Sequence, residues 1–197
     1  MDLTFEALEP EIKTDLAAMK FLRMTEATAA AKQLLAHRDR FLAVQKDCGV
    51  PALWTMPVFE RENPRFDAYF GNGDRIIGTD KKTTDWPRNR GPFATWEEGV
   101  TDALDLDHVV AAFNRNPHTW EFAVYEWEKW NGFGPREHSR PSGYPWSGTS
   151  IYRGGKFVHD GPGGWSRGTW DHQLGTVIIA RAIAELDPEI AAGFVAG

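Results

Sequence analysis

The chain has a single cysteine, Cys48, so no intrachain disulfide can form. It has no apolar run of the ~18 residues that a bilayer crossing needs. The longest such stretch, near Thr176 to Ala184, is broken by Arg181. Its start, Met1-Asp2-Leu3-Thr4-Phe5-Glu6, carries acids where a secretory signal would carry Lys or Arg, so no signal peptide and no membrane insertion are expected. Positive charge is in short supply: 22 Lys and Arg stand against 28 Asp and Glu, for a formal net charge of −6. A non-specific nucleic-acid binder needs a basic face that releases counterions from phosphates, so no nucleic-acid partner is expected. Metal-binding spacings are missing too. There is no Cys-x-x-Cys, and none of His108, His118, His138, His159 or His172 pairs with another at i, i+4. The glycine-rich pieces Gly132-Phe-Gly and Gly161-Pro-Gly-Gly lack the Lys-Ser/Thr of a phosphate loop. No metal and no cofactor are expected.

What remains is a 197-residue chain with 42% hydrophobic and 25% charged residues. That suits one globular domain with a real core, or one domain behind a short helical preface. Aromatic residues are abundant: nine Trp, twelve Phe and four Tyr. Several Trp (Trp86, Trp146, Trp165) lie in Gly-, Pro- and Ser-rich segments. An exposed indole face is a platform for a sugar ring, with C–H groups stacked on the π surface and the indole N–H free to donate.

Residues 11–46 read as helical, with apolar positions Ala27, Ala31, Leu34, Leu35 and Leu42 at helical spacing and a stop at Asp47-Cys48-Gly49. A second helix opens at Pro51 and runs to about Glu62 before Asn63-Pro64, with Pro57 in conflict inside it. Residues 71–92 read as loops with a small β-hairpin. Thr95 to Glu98 is a capping-box pattern opening a helix to about Leu106. A further helix is expected from Thr119 to Trp130, irregular loops over 131–168 with a short strand at Lys156-Phe157-Val158, and a last helix from Asp171 to Leu186. The expected fold class is α+β, mainly α. The expected division is an N-terminal helical extension, 1–49, ahead of the main domain, 50–197.

One constellation carries chemistry. Cleaving a glycoside needs an acid for the leaving oxygen and a second group to stabilise or trap the cationic transition state. The acid stays protonated near neutrality only in apolar surroundings. Glu62 ends an apolar helix near Trp54, Phe59 and Phe66, and Asn72-Gly73-Asp74, Thr79, Thr83 and Thr84 follow. That offers Glu62 as acid, Asp74 as second carboxylate and a Thr hydroxyl for the attacking water. Glu60 competes with Glu62, but the two are turned by roughly 200° on a helix. Cys48 sits without a nucleophile motif, which disfavours a thiol peptidase. Glu126, on the helix expected over 119–130, lies on a different face from Trp127 and Trp130; it either lines the cleft or, by default, faces solvent.

From about Val50 to Leu186 the chain resembles phage and prophage lysozyme-like endolysins, which are peptidoglycan N-acetylmuramidases. The matching pieces come in order: Pro51-Ala-Leu-Trp…Arg61-Glu62, Asn72-Gly73-Asp74, Arg90-Gly-Pro-Phe with Thr95-Trp-Glu-Glu and Asp102-Ala-Leu, Glu126-Trp-Glu-Lys-Trp-Asn-Gly-Phe-Gly134, Trp146-Ser-Gly-Thr149 with Tyr152, Gly155-Lys-Phe-Val and Asp160-Gly161, and Gln173-Leu-Gly. The chain departs from the family pattern in Arg75-Ile76, in a longer segment over 75–89, and in Asn63-Pro64 after the Glu. The resemblance implies a lysozyme-like helical lobe with a small β lobe and long aromatic loops. It implies hydrolysis of the β-1,4 MurNAc–GlcNAc bond by Glu62, with Asp74 or a water held by Thr83 acting opposite. Asn131, Trp146, Ser147, Thr149 and Tyr152 are the expected sugar contacts. The expected partner is bacterial peptidoglycan, met by a monomer that is made in the cytoplasm and reaches the wall by release or holin-type export. Three alternatives stand beside it: a lytic transglycosylase, which needs only one acid; a non-catalytic protein of the same fold that binds the wall or plugs a phage structure; and a chitinase-like specificity.

Overall fold

The computed structural model describes residues 2–159, 161 and 163–194. Asp160 of the expected Asp-Gly turn and Pro162 lie outside the described residues. Eleven helices and two strands are present among those described: α1 (Phe5–Ala18), α2 (Met24–Leu35), α3 (Arg38–Cys48), α4 (Ala52–Glu62), α5 (Trp96–Leu106), α6 (Val109–Phe113), α7 (Trp120–Asn131), α8 (Gly134–Glu137), α9 (Gly143–Trp146), β1 (Lys156–Phe157), β2 (Trp165–Ser166), α10 (Thr176–Leu186) and α11 (Pro188–Ala191). The fold is mainly helical with one small antiparallel sheet, in which Lys156 pairs with Ser166 and Phe157 with Trp165. No helix among the described residues is long and apolar enough to cross a membrane.

Contacts divide the chain into two compact units, Met1–Lys32 with Pro117–Gly197, and Gln33–Asn116. The division does not fall at 49/50. Residues 1–49 contribute to both units: α1 packs on α7 in the first, and α3 packs on α4 and α5 in the second.

In the second unit the core is aromatic. Phe41, Phe59, Phe66 and Trp96 meet with ring centroids 4.8 to 6.3 Å apart. Arg40 lies over Phe66 at 4.2 Å and pairs with Glu97 at 2.6 Å, so its charge is matched while its plane covers the cluster. α4 runs unbroken through Pro57 to Glu62, and Ala52 to Phe59 are all buried. Burial on every side outweighs the one backbone donor that Pro57 lacks. Thr95 and Glu98 close both bonds of the capping box on α5.

In the first unit α1 packs on α7, α7 on α9 and α9 on α10. Phe5 meets Phe122 edge-on at 5.2 Å, and Trp127 and Trp146 are fully buried. Thr119 caps α7 through Phe122 N, and Gly132 ends it at φ +86°. A buried ion pair ties α8 to α7: Arg136 bonds the Glu128 carboxylate at 2.6 Å, and it also bonds Glu11 of α1 at 3.1 Å.

Three expectations need correction. The helix over 11–46 is interrupted between Ala18 and Met24, because residues 20–22 pair with residues 148–150: Leu22 N donates to Gly148 O and Ser150 N to Lys20 O, both at 2.9 Å. The β element lies at 156–166 and not in 71–92. Pro87 and Pro92 supply no ladder donors there, and side chains of Asn72, Asp74 and Thr83 take the backbone groups instead. The last helix starts at Thr176, since Asp171 holds Gln173 N and Ser147 O holds Gly175 N in a loop. Pro188 opens α11 behind the Asp187 cap.

Candidate functional site

Glu62 is the last residue of α4 and is half-buried. The chain then leaves the helix at Asn63, in extended conformation, and returns through Asp67 to the Asn72-Gly73-Asp74 turn. Gly73 brings the turn home. At φ +79°, it lies so close to Asn63 that a Cβ there would overlap Asn63 Nδ2. The residue after Glu62 and the residue before Asp74 are therefore in contact. Gly73 N donates to Tyr69 O at 3.0 Å and Tyr69 N to Asp74 O at 2.8 Å, which closes the intervening loop on itself.

Asp74 is held firmly. Its Oδ2 accepts from Thr84 N at 2.7 Å and from Asp85 N at 3.1 Å, with the Thr84 hydroxyl at 3.4 Å. The carboxylate thus fastens the segment over 79–92 to the turn. Thr83 does not carry the hydroxyl that reaches Asp74. It is buried, its hydroxyl donates to Pro87 O and accepts from Arg90 N, and both bonds lie inside its own loop. The hydroxyl that reaches Asp74 belongs to Thr84, one residue along. Trp86, between Asp85 and Pro87, is 85% exposed.

Glu60 shares α4 with Glu62, and burial pushes its carboxyl above the ordinary glutamate range. Elsewhere in this unit a pocket of about 780 Å³ is lined by Asp47, Cys48, Glu97, Glu98, Asp102 and Asp105 among others. Its acids are largely engaged: Glu97 with Arg40, Glu98 in the α5 cap, and Asp102 with Arg90 and the Tyr69 hydroxyl. Burial pushes the Cys48 thiol up, which keeps it a thiol near neutrality and unsuited to nucleophilic attack.

The expected sugar contacts fall in the other unit. Asn131 ends α7 and is exposed. Trp146 is fully buried, so its ring is core and presents no face to a ligand. The remaining three line a pocket of about 270 Å³ with Leu22, Arg23, Trp170 and His172, but their hydroxyls are engaged within the loop. Ser147 donates to Asp171 O at 2.9 Å and Thr149 to Trp146 O at 2.7 Å. The Tyr152 hydroxyl donates to Gly155 O at 3.1 Å and accepts from Asp171 N at 2.9 Å.

Sequence reasoning misplaced Glu126. It is 2% exposed, bonded to Lys129 at 3.2 Å, and burial raises its carboxyl despite that partner. Its neighbours Trp120 to Val124 and Trp127 to Glu128 are buried too, so α7 has almost no solvent face from which the default could follow. No group of three or more His, Cys, Asp or Glu among the described residues is placed to hold a metal ion. Comparisons with family models, curated proteins and solved structures found no match to this chain.

Proposed function

We propose that the chain is a lysozyme-type glycosidase that hydrolyses the β-1,4 bond between N-acetylmuramic acid and N-acetylglucosamine in peptidoglycan. The observation that carries the reading is the contact between Asn63 and Gly73, which joins the helix end bearing Glu62 to the turn bearing a fixed Asp74. In this reading α4 and its surrounding helices form the helical lobe of a lysozyme-like fold. Glu62 gives its proton to the glycosidic oxygen as the C1–O bond breaks. Water then attacks C1, and its proton passes to the Glu62 carboxylate. Asp74 supplies negative charge near the developing cation, and Thr84 stands where Thr83 was expected. No cofactor takes part. The substrate is the bacterial wall, which the protein reaches after release from the cytoplasm.

One observation favours a second route. Asp74 Oδ2 already takes two backbone N–H groups. Such a carboxylate is a weak nucleophile and a good structural staple. The chain would then use one acid, as a lytic transglycosylase does, and leave a 1,6-anhydro sugar. Turbidity clearing of purified peptidoglycan by wild-type protein and by Glu62→Gln tests the activity. Equal clearing by both removes the assignment, and mass spectrometry of the released muropeptides separates hydrolysis from the anhydro route.

A further inference from the structure

Trp170 is large, apolar and 52% exposed, yet its backbone is pinned on both sides. Gly155 N donates to Thr169 O at 2.8 Å just before it. Just after it, Asp171 N donates to the Tyr152 hydroxyl and Asp171 O accepts from Ser147. One residue further, His172 O accepts from Arg23 at 2.9 Å. The ring is held as well. Tyr152 meets it edge-on at 5.4 Å, and Gly154 comes so close that a Cβ there would lie 3.2 Å from its Cε2. An exposed indole fixed in this way is a preorganised surface, since little rotamer freedom remains to be lost on binding.

The surroundings narrow what would bind there. The pocket beside the ring, about 270 Å³, is lined by Leu22 and Arg23 from the N-terminal segment, by Gly148 and Thr149, and by His172. Its charges are matched in place: Arg23 pairs with Glu26, and Asp171 with Lys156 at 3.4 Å. A ligand therefore meets an aromatic face and polar edges without a net charge to answer. That combination suits a neutral pyranose ring, C–H groups on the indole and hydroxyls toward Arg23 and His172.

We propose that Trp170 is the stacking platform of a sugar-binding subsite, and that residues 20–23 complete it by pairing with residues 148–150. The identity of the ring as an N-acetylhexosamine of the glycan strand rests on the glycosidase reading above. Ser147 and Tyr152 then act as positioning residues, whose hydroxyls hold the platform and do not touch the sugar.

The test is a calorimetric titration with the β-1,4-linked tetramer of N-acetylglucosamine, in a Glu62→Gln background so that turnover does not consume the probe. Trp170→Ala should bind about tenfold more weakly. Chemical oxidation of tryptophan, mapped by mass spectrometry on the unaltered chain, gives a second reading: the tetramer should slow oxidation of Trp170 and leave that of the exposed Trp86 unchanged. Undiminished binding by Trp170→Ala, no binding by the parent, or unprotected Trp170 overturns the proposal. If Glu62→Gln clears peptidoglycan as well as wild type while tetramer binding still depends on Trp170, the subsite stands and the catalytic assignment alone falls.

Discussion

Asn63 and Gly73 touch across the loop that separates Glu62 from Asp74, and a side chain at position 73 would have to displace the Asn63 amide. One departure from the family pattern, Asn63-Pro64 after Glu62, has a structural role here. Asn63-Pro64 ends α4 in an extended conformation, and that turns the Asn63 amide toward Gly73. The glycine serves both the left-handed backbone and the close approach.

Gly73→Ala should therefore be costly at two levels. The φ of +79° alone costs about 1 kcal/mol for a residue with a Cβ, and the Asn63 side chain must also move. For a chain of this length that is a drop in Tm of about 2–4 °C. Peptidoglycan clearing should fall more than stability does, because the turn displaced is the one that carries Asp74. Thermal denaturation and turbidity measured on the same preparation check both; an unchanged clearing rate would detach the turn from the chemistry.

Glu60→Gln and Glu62→Gln should differ in what they change. Burial raises the folded-state carboxyl of Glu60 above its ordinary value of 4.5. A raised carboxyl adds stability only where it is protonated in both states, below the unfolded value, and that contribution is lost as pH rises through the folded value. Glu60→Gln should then match wild type in Tm near pH 4 and exceed it at pH 7, by roughly 2–4 °C for each kcal/mol relieved. Glu62→Gln should lower clearing about 100-fold or more. The reverse pattern, with Glu60→Gln inactive and Glu62→Gln active, would make Glu60 the acid.

What was legible in the sequence was local. Thr95 with Glu98, Thr119, and Gly132 are capping signals read within one turn of chain, and each ends or opens a helix as expected. What was not legible depends on partners far away. Residues 19–23 have no breaker of their own; they leave the helix because backbone groups at 148–150 pair with them. Thr83 and Thr84 are indistinguishable in type, and only the fold decides which hydroxyl faces Asp74. Ser147 and Tyr152 have the right chemistry to bind a sugar, but the Asp171 backbone takes their hydroxyls. Trp170 carries no local signal that separates it from the buried Trp146.

The Glu128–Arg136 pair offers a stability test within the unit that does not contain Glu62. Both side chains are almost wholly buried. Removing one partner leaves a charge unmatched, and such losses run at about 3–5 kcal/mol. Arg136→Met should approach that cost in urea denaturation. The double variant Glu128→Leu/Arg136→Met removes both charges and should recover much of it. A double variant no more stable than the single would show that the Glu11 and Ser142 bonds to the pair, rather than the pair itself, hold this part of the unit.

Tyr152→Phe isolates a single hydroxyl. The ring that meets Trp170 stays, while Gly155 O loses a donor and Asp171 N an acceptor. Leaving buried polar groups unmatched costs about 1–3 kcal/mol. The loss should be local: the Asp171 amide should exchange its hydrogen faster, while amides in α10 such as Ile179 keep their protection. Clearing of peptidoglycan should weaken through KM, since the platform loosens while Glu62 is untouched. A variant with unchanged exchange at Asp171 would mean that Ser147 and Arg23 hold this segment without help from Tyr152.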